Sequence, residues 1–277
     1  MSAHDPYVHG HHESVVRSHA RRTVEDSAAY LIPHLSRGMR VLDVGSGPGT
    51  ITVDLARRVH PGLVRGIDVE PMMAERATGL AESQGIENVE FDTGSGYEID
   101  SPDDTFDLVH AHQVLQHVSD PSRVMAEMLR VVKPGGLVAV RDAIYSGTVW
   151  YPDSEGLDSW RSTYLSAARY AHGDPDIGRR LRAIALHAGA TIVASSASVW
   201  CYSAEDERES WGSAWAERAT DSHFAVMAVE SGAAQADDLH SMSRAWRKWA
   251  RDESGWFAIP HGEVIARKEA APAPTAQ

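Results

Sequence analysis

Residues 41–50 read VLDVGSGPGT, a short apolar run broken by one acid and followed by three alternating glycines, Gly45, Gly47 and Gly49. An apolar run of this length suits a parallel strand buried on both faces, and the glycines let the backbone lie against a ligand. A diphosphate cradle is the first reading. It fails on spacing, because the glycines do not follow G-x-G-x-x-G, and on charge, because Asp43 stands two residues ahead of the first glycine where a polyanion would be repelled. A carboxylate there suits a cation instead, such as an α-ammonium group bonded to backbone carbonyls within the field of Asp43.

Working outward, MRVLDVG, GLVRGIDV, NVEFD, FDLVHAH and LVAVRDAI read as strands, and TITVDLARRV, PMMAERATGLAESQG and PSRVMAEMLRVV as the helices between them. Strands alternating with helices give a parallel sheet with right-handed crossovers. Residues 13–36 are helical in character, with Thr23 and Asp26 spaced as a capping box. All eight tryptophans lie beyond Tyr145, so the two halves have different tasks. Helical stretches over 155–172 and 175–188 lead to the strand TIVASSASVWCYS, and a helical block over 204–252 precedes the last strand, GWFAIPHGEVIARK. The expected fold is α/β: a doubly wound, seven-stranded, mostly parallel sheet with a helical cap inserted before the last strand. Its segments are an N-terminal helical cap (1–37), a ligand-binding core (38–145), connecting helices and a sixth strand (146–203), an inserted lid (204–254), the last strand (255–268) and a disordered tail (269–277).

A chain of 277 residues with 43% hydrophobic content can bury a sizeable core. Its formal charge of −13 argues against a nucleic-acid surface, which needs clustered Lys and Arg. Cys201 is the sole cysteine, which excludes a disulfide framework and a cysteine-based zinc site. The opening MSAHDPYVHGHHESVV lacks the apolar core of a signal peptide, and no run reaches the length of a membrane span, so the expectation is a cytoplasmic protein with a small-molecule partner.

Asp68 ends the second strand, 25 residues beyond Asp43, the usual distance for a carboxylate that accepts both hydroxyls of a ribose. Val69 and Met72 follow it and can pack on a purine face. A ligand with an amino acid at one end and a nucleoside at the other is S-adenosylmethionine. The stretches VLDVGSGPGT, GIDVEPMM, FDLVHAHQVLQHVSDP and LRVVKPGGLVAVRD, in this order and spacing, resemble the motifs of class I S-adenosylmethionine-dependent methyltransferases, especially the UbiE-like group, over roughly residues 38–145. The resemblance implies that Asp43, Gly45, Ser46, Gly47 and Thr50 line the methionine side of this cofactor and that Asp68 holds its ribose. One departure stands out: where the family usually has an acid for the adenine amino group, TGSGYEI places Ser95, after Gly94. The region HGHHESVVRSHARRTVEDSAAYLIPHL also looks like the amino-terminal region of a UbiE-like subgroup, which implies that Arg22 pairs with the methionine carboxylate, with His19 beside it.

Methyl transfer from a sulfonium is an in-line displacement that rests on positioning, with a base added when the nucleophile must lose a proton. His110, His112 and His117 start at the end of the fourth strand; His112 and Gln113 are placed nearest the cofactor, and His117 resembles a structural histidine of the family. His112, His117 and Asp142 are the catalytic candidates. Asp142, Tyr145 and Trp150 are expected to touch the acceptor, with Trp200, Trp215, Trp256 and His261 as walls or support, and His12 as a further contact. The cluster of His9, His11, His12 and Glu13 matches no zinc spacing, so no metal is expected. The tryptophan-rich helices serve as a lid or as a homodimer interface. The resulting expectation is a methyltransferase acting on sulfur, nitrogen, oxygen or carbon of a small molecule, the alternative being a catalytically inactive S-adenosylmethionine-binding regulator or subunit.

Overall fold

A computed structural model describes residues 22–269; His12, His19, the rest of the first 21 residues and the tail from 270 onward lie outside the described residues. The first half contains α1 (Val24–Ser27), a 3-10 turn (Ala29–His34), β1 (Val41–Val44), α2 (Thr50–Val59), β2 (Val64–Asp68), α3 (Pro71–Ser83), β3 (Val89–Thr93), β4 (Phe106–His112), a 3-10 turn (Leu115–His117), α4 (Pro121–Val131) and β5 (Val132–Ala143). After a 3-10 turn (Tyr145–Gly147) come β6 (Val149–Tyr151), α5 (Glu155–Tyr170), a 3-10 turn (Ile177–Arg180), α6 (Leu181–His187) and β7 (Thr191–Tyr202). Three helices, α7 (Glu205–Asp221), α8 (His223–Glu230) and α9 (Ala236–Arg251), then separate β7 from β8 (Trp256–Arg267).

The sheet is seven columns wide, in the order β3, β2, β1, β4, β5, β8, β7, and β8 alone runs against the rest. There is one strand more than the sequence suggests. Residues Val149–Tyr151 form β6, which pairs with Trp256–Ala258 of β8 and so continues the β5 column. The order reverses between β1 and β4, and the crevice at their carboxyl ends is where an α/β sheet of this kind takes a ligand.

Alternation along the strands sorts residues onto two faces. One face buries Leu42, Val44, Val109, Ala111, Val138, Val140 and Val264 against α4 and α6. The other carries two apolar clusters. Val41, Leu108, Ala139 and Ile265 pack with Val24 and Leu31, which lie before β1, and with Leu55 of α2. Further along, Tyr145, Phe257 and Ile259 pack with Trp160, Trp211, Trp215 and Trp246 of the helical block. Between these two clusters, on the same face by strand parity, lie Asp43, His110, His112, Arg141, Glu263 and His261, all buried.

The expected helix over 13–36 is shorter where it is described. Thr23 does cap α1 reciprocally with Asp26, but Ala28 leaves helical geometry and Pro33 sits inside the turn that follows, which a continuous helix tolerates poorly.

Candidate active site

The glycine loop carries positive φ at Gly45 (69°), Gly47 (53°) and Gly49 (85°), a conformation that side chains resist. The three glycines are needed for different reasons. A Cβ on Gly45 would meet Val114 Cγ2 at 2.4 Å, and one on Gly49 would meet Ala77 Cβ at 2.6 Å, whereas one on Gly47 would meet nothing within 4 Å. Gly45 and Gly49 therefore let the loop close on its own neighbours, and Gly47 presents bare backbone to open space. The amides of Gly45 and Ser46 both donate to the Ile67 carbonyl at the end of β2, at 2.8 and 3.0 Å. The buried Ser46 hydroxyl has no partner among the described residues. Thr50 opens α2 directly behind Gly49.

Asp43 does not stand at the mouth of this loop. It is 2% exposed, and both its oxygens are engaged beneath the loop: His110 Nδ1 donates to Oδ1 at 2.7 Å and Thr52 Oγ1 to Oδ2 at 2.6 Å. Asp68, by contrast, reaches the loop itself. Its Oδ2 accepts from the Gly47 amide at 2.9 Å and its Oδ1 from the Glu70 amide at 3.0 Å. Val69 and Met72 next to it are 38% and 41% exposed, an apolar surface at the loop's edge. The amide of Gly94 donates to the Asp68 carbonyl at 2.8 Å, and Ser95 Oγ accepts from the Tyr97 amide at 3.2 Å. Together these groups fit a ribose and a purine: an acceptor pair, an apolar edge, a hydroxyl and a backbone cradle.

The end of β4 is the second wall. Gln113 has φ 54°, rare for a side chain of this kind, and its amide donates to the Arg141 carbonyl at 2.7 Å. Its side chain links two others: Arg22 Nη2 donates to Oε1 at 2.7 Å, and Nε2 meets His261 Nε2 at 2.8 Å. His261 Nδ1 faces the Ile259 carbonyl at 3.1 Å and must be the donor there, so Nε2 is the acceptor and the ring is neutral. Burial, then the Arg141 and Arg22 charges, hold His261 well below the usual histidine range. His112 is 6% exposed, and neither ring nitrogen has a partner among the described residues. Desolvation, followed by Arg22 and Arg141, keeps it neutral too. His117 accepts from Gln116 Nε2 at 2.9 Å, and burial with the Arg22 charge lowers it to about 3.

Trp200 joins Arg22 to this group. Its indole Nε1 donates to the Asp26 carbonyl at 2.8 Å, and the Arg22 and Arg141 guanidinium carbons lie 5.2 and 4.7 Å from its ring centre. The His261 ring sits 4.4 Å from it.

Of the expected acceptor contacts Asp142 lies on the other face of the sheet, and the two tryptophans Trp256 and Trp215, expected as walls or support, stand apart from His112. Asp142 follows Arg141 in β5 and so faces the opposite side of the sheet from His112; its Oδ1 accepts from the Gln116 amide at 3.1 Å, and burial raises it to about 8. Trp256 has the opposite parity to Phe257 and is 40% exposed. Trp215 has no exposed surface and stands in the middle of the helical block, 4.6 Å from Trp160 and 6.0 Å from Trp246. Tyr145 is buried 4.2 Å from Tyr164, and Trp150 stacks on Phe257 at 6.1 Å. The sequence reading passes over Gln116, Arg141, Tyr30 and Glu263. For Arg141 a signal exists, since LVAVRDA sets a cation inside a run that is otherwise core strand.

Among the described residues no group of three or more His, Cys, Asp or Glu is placed to hold a metal ion, and no helix is long and apolar enough to cross a membrane. Comparison with known proteins gives the frame for this geometry. A family model described as a methyltransferase domain matches residues 35–162. An uncharacterized methyltransferase of Schizosaccharomyces pombe is 33% identical over 95% of this chain and 96% of its own. The probable methyltransferase ltbC of Aspergillus luteorubrus is 30% identical over 95% and 97% of the two chains. Among solved structures, the YcgJ protein of Bacillus subtilis aligns with a TM-score of 0.56 at 18% identity, covering 88% of this chain and 98% of that one. A SAM-dependent methyltransferase from Aquifex aeolicus aligns at 0.50 and 23% identity, covering 66% and 90%. The last two show the shared fold only.

Proposed function

From the premise that this chain belongs to the class I S-adenosylmethionine-dependent methyltransferases, we propose that it methylates a small molecule held between the ends of β4 and β5 and the helical block. The observation that carries this reading is His112, a buried imidazole at the carboxyl end of β4 with both nitrogens unpartnered among the described residues. A buried polar group without a partner is costly, and a ligand that supplies one recovers the loss.

When bound, S-adenosylmethionine supplies an electrophilic methyl on a sulfonium. In this reading Gly47 and Ser46 give backbone and hydroxyl to its methionine side, with Gly45 and Thr50 shaping the loop and Asp43 acting through its field. Asp68 holds the ribose hydroxyls, Val69 and Met72 cover the purine, and Gly94 and Ser95 meet its edge. Arg22, fixed by Gln113, faces the methionine carboxylate. His112 and Gln113 border the transferring methyl, and His117 supports that turn by its bond to Gln116.

The low proton affinity of His112 and His117 bears on the nucleophile. A histidine lowered to about 3 holds no proton near neutrality and is a weak base there. The site thus favours an acceptor atom that arrives ionised or carries a free lone pair, with catalysis by alignment and exclusion of water. A thiol meets this condition most easily, because it is already partly ionised near neutrality. Tyr145, Trp150 and Trp200 give the acceptor side an aromatic character. The test is incubation with S-adenosylmethionine and a panel of thiols, phenols and amines, following S-adenosylhomocysteine. Turnover of at least one class is expected; none across the panel would overturn the small-molecule reading.

A further inference from the structure

Arg141 is the least satisfied charge in the described structure. It is 1% exposed, and only its Nε is used, donating to Ser198 Oγ at 3.1 Å and Glu263 Oε1 at 3.2 Å. Its Nη1 and Nη2, which carry all but one of the guanidinium's N–H donors, are buried with no partner among the described residues. Such an arrangement is expensive unless something else pairs with the fork.

Two more orphan groups stand beside it. His112 is the direct cross-strand partner of Arg141, and neither ring nitrogen has a partner among the described residues. The Tyr30 hydroxyl is buried with no partner among the described residues, and its side chain packs on the cluster of Ala139 and Ile265, two residues along the strands from Arg141 and Glu263. The face of Trp200 closes the group at 4.7 Å. Glu263 does not satisfy the fork: its oxygens are taken by Arg141 Nε and by the hydroxyls of Ser196 and Ser198.

We propose that Arg141, His112 and Tyr30 form a subsite for a carboxylate on the methyl acceptor, with the planar Nη pair of Arg141 as its bidentate anchor. A guanidinium fork matches a carboxylate in shape and charge, and the phenol and imidazole add donors at its flank. Desolvation lowers Arg141 only to about 10, so the fork stays charged near neutrality. The cofactor's own carboxylate is the other source of the same chemistry, and since Arg22 and Arg141 lie against the same Trp200 ring, the binding test separates the two. Arg141 stands on β5, two interstrand spacings or about 10 Å from the β1 that bears the glycine loop. Its side chain leans further away, toward β8 and β7, where Glu263 and Ser198 hold it.

This subsite rests on the reading that this face holds the acceptor, and its test is one of binding, so it can fail separately from turnover. The full chain, saturated with S-adenosylhomocysteine, is titrated with benzoate and with its neutral isostere benzamide by calorimetry. Benzoate is expected to bind tighter by about tenfold or more, as one desolvated charge-assisted pair allows. Arg141→Gln together with Glu263→Gln, which leaves no lone buried charge, removes that preference while S-adenosylhomocysteine affinity stays within about twofold. Tyr30→Phe, a change of one hydroxyl, weakens benzoate severalfold in a folded protein. Equal binding of benzoate and benzamide to the unaltered chain overturns the proposal. So does a loss of S-adenosylhomocysteine affinity of about tenfold in the double variant, which would assign the fork to the cofactor's carboxylate.

Discussion

Asp43 and Asp142 are both buried carboxylates near the site, and their surroundings treat them in opposite ways. Asp43 has a partner on each oxygen, whereas Asp142 has the Gln116 amide on Oδ1 and no partner on Oδ2 among the described residues. Burial therefore raises Asp142 from its ordinary 3.8 to about 8 despite the amides of Gln116 and Leu115. The sign of the consequence follows from proton counts. Between about pH 4 and 8 the folded chain keeps a proton that the unfolded chain releases, so stability falls as pH rises through that window. Asp142→Asn keeps the acceptor and removes the titration; its melting temperature is expected to decline less than that of the unaltered protein over this range. Parallel curves for the two would show that Asp142 is ionised when folded. At Asp68 the expectation concerns affinity: alanine removes the tie to Gly47 and the two hydroxyl acceptors, and should weaken S-adenosylhomocysteine by about 1–3 kcal/mol in a calorimetric titration. Unchanged affinity would take Asp68 out of the site. The place of Asp68 at the end of β2 was legible from spacing, because it ends a strand at a distance the fold dictates. Arg141 and Tyr30 were not, because their significance is the lack of a partner among the described residues, and only a packed neighbourhood shows that.

The glycine loop and the helical block show how much an element's sequence says about its purpose. Three alternating glycines announce a tight turn, but only the neighbours tell which glycine serves closure and which serves the ligand. Gly47→Ala is expected to fold, with the modest cost of an alanine at positive φ, and to bind S-adenosylhomocysteine more weakly. Gly49→Ala is expected to destabilise the whole fold, because its Cβ would fall 2.6 Å from Ala77 of α3. Denaturant curves and calorimetry on the pair check this; a Gly47 variant with full affinity would mean that the bare backbone faces no ligand. In the helical block, the concentration of tryptophans after Tyr145 marks a separate core. Trp160, fully buried within 6.3 Å of Trp150, Tyr164, Trp215, Trp246 and Phe257, is the centre of it. Trp160→Ala should cost about 3–5 kcal/mol in a denaturant melt. Strand β6 left no such trace, since its three residues pair only with β8 at a point that the sequence does not specify. Trp215 and Trp256 show the limit of reading aromatics by type: one fills the block's centre and the other faces outward by strand parity.

At the scale of the molecule the decisive feature is the polar seam between two apolar clusters on one face of the sheet. The polar residues themselves stand in plain view within the strand sequences VLDV, FDLVHAH and LVAVRDAI. That Asp43, His110, His112, Arg141, Glu263 and His261 align across neighbouring strands depends on register, which the sequence leaves open. The seam runs from the glycine loop on one side to the block of α5, α7, α8 and α9 on the other. In the proposed reading a cofactor at the glycine loop meets β1, β2 and the turn after β4, and reaches Trp200 only through Arg22. An acceptor at Arg141 lies against Trp200, which packs beside the block's core. Hydrogen exchange should therefore show S-adenosylhomocysteine slowing residues 45–49, 68–72 and 113–117, with residues 204–254 slowed only when an acceptor-like carboxylate is added. Protection of 204–254 by S-adenosylhomocysteine alone would tie the block to the cofactor instead. Protection that grows with protein concentration and ignores ligand would make its outer surface a contact between two copies of the chain, since only association responds to concentration in that way.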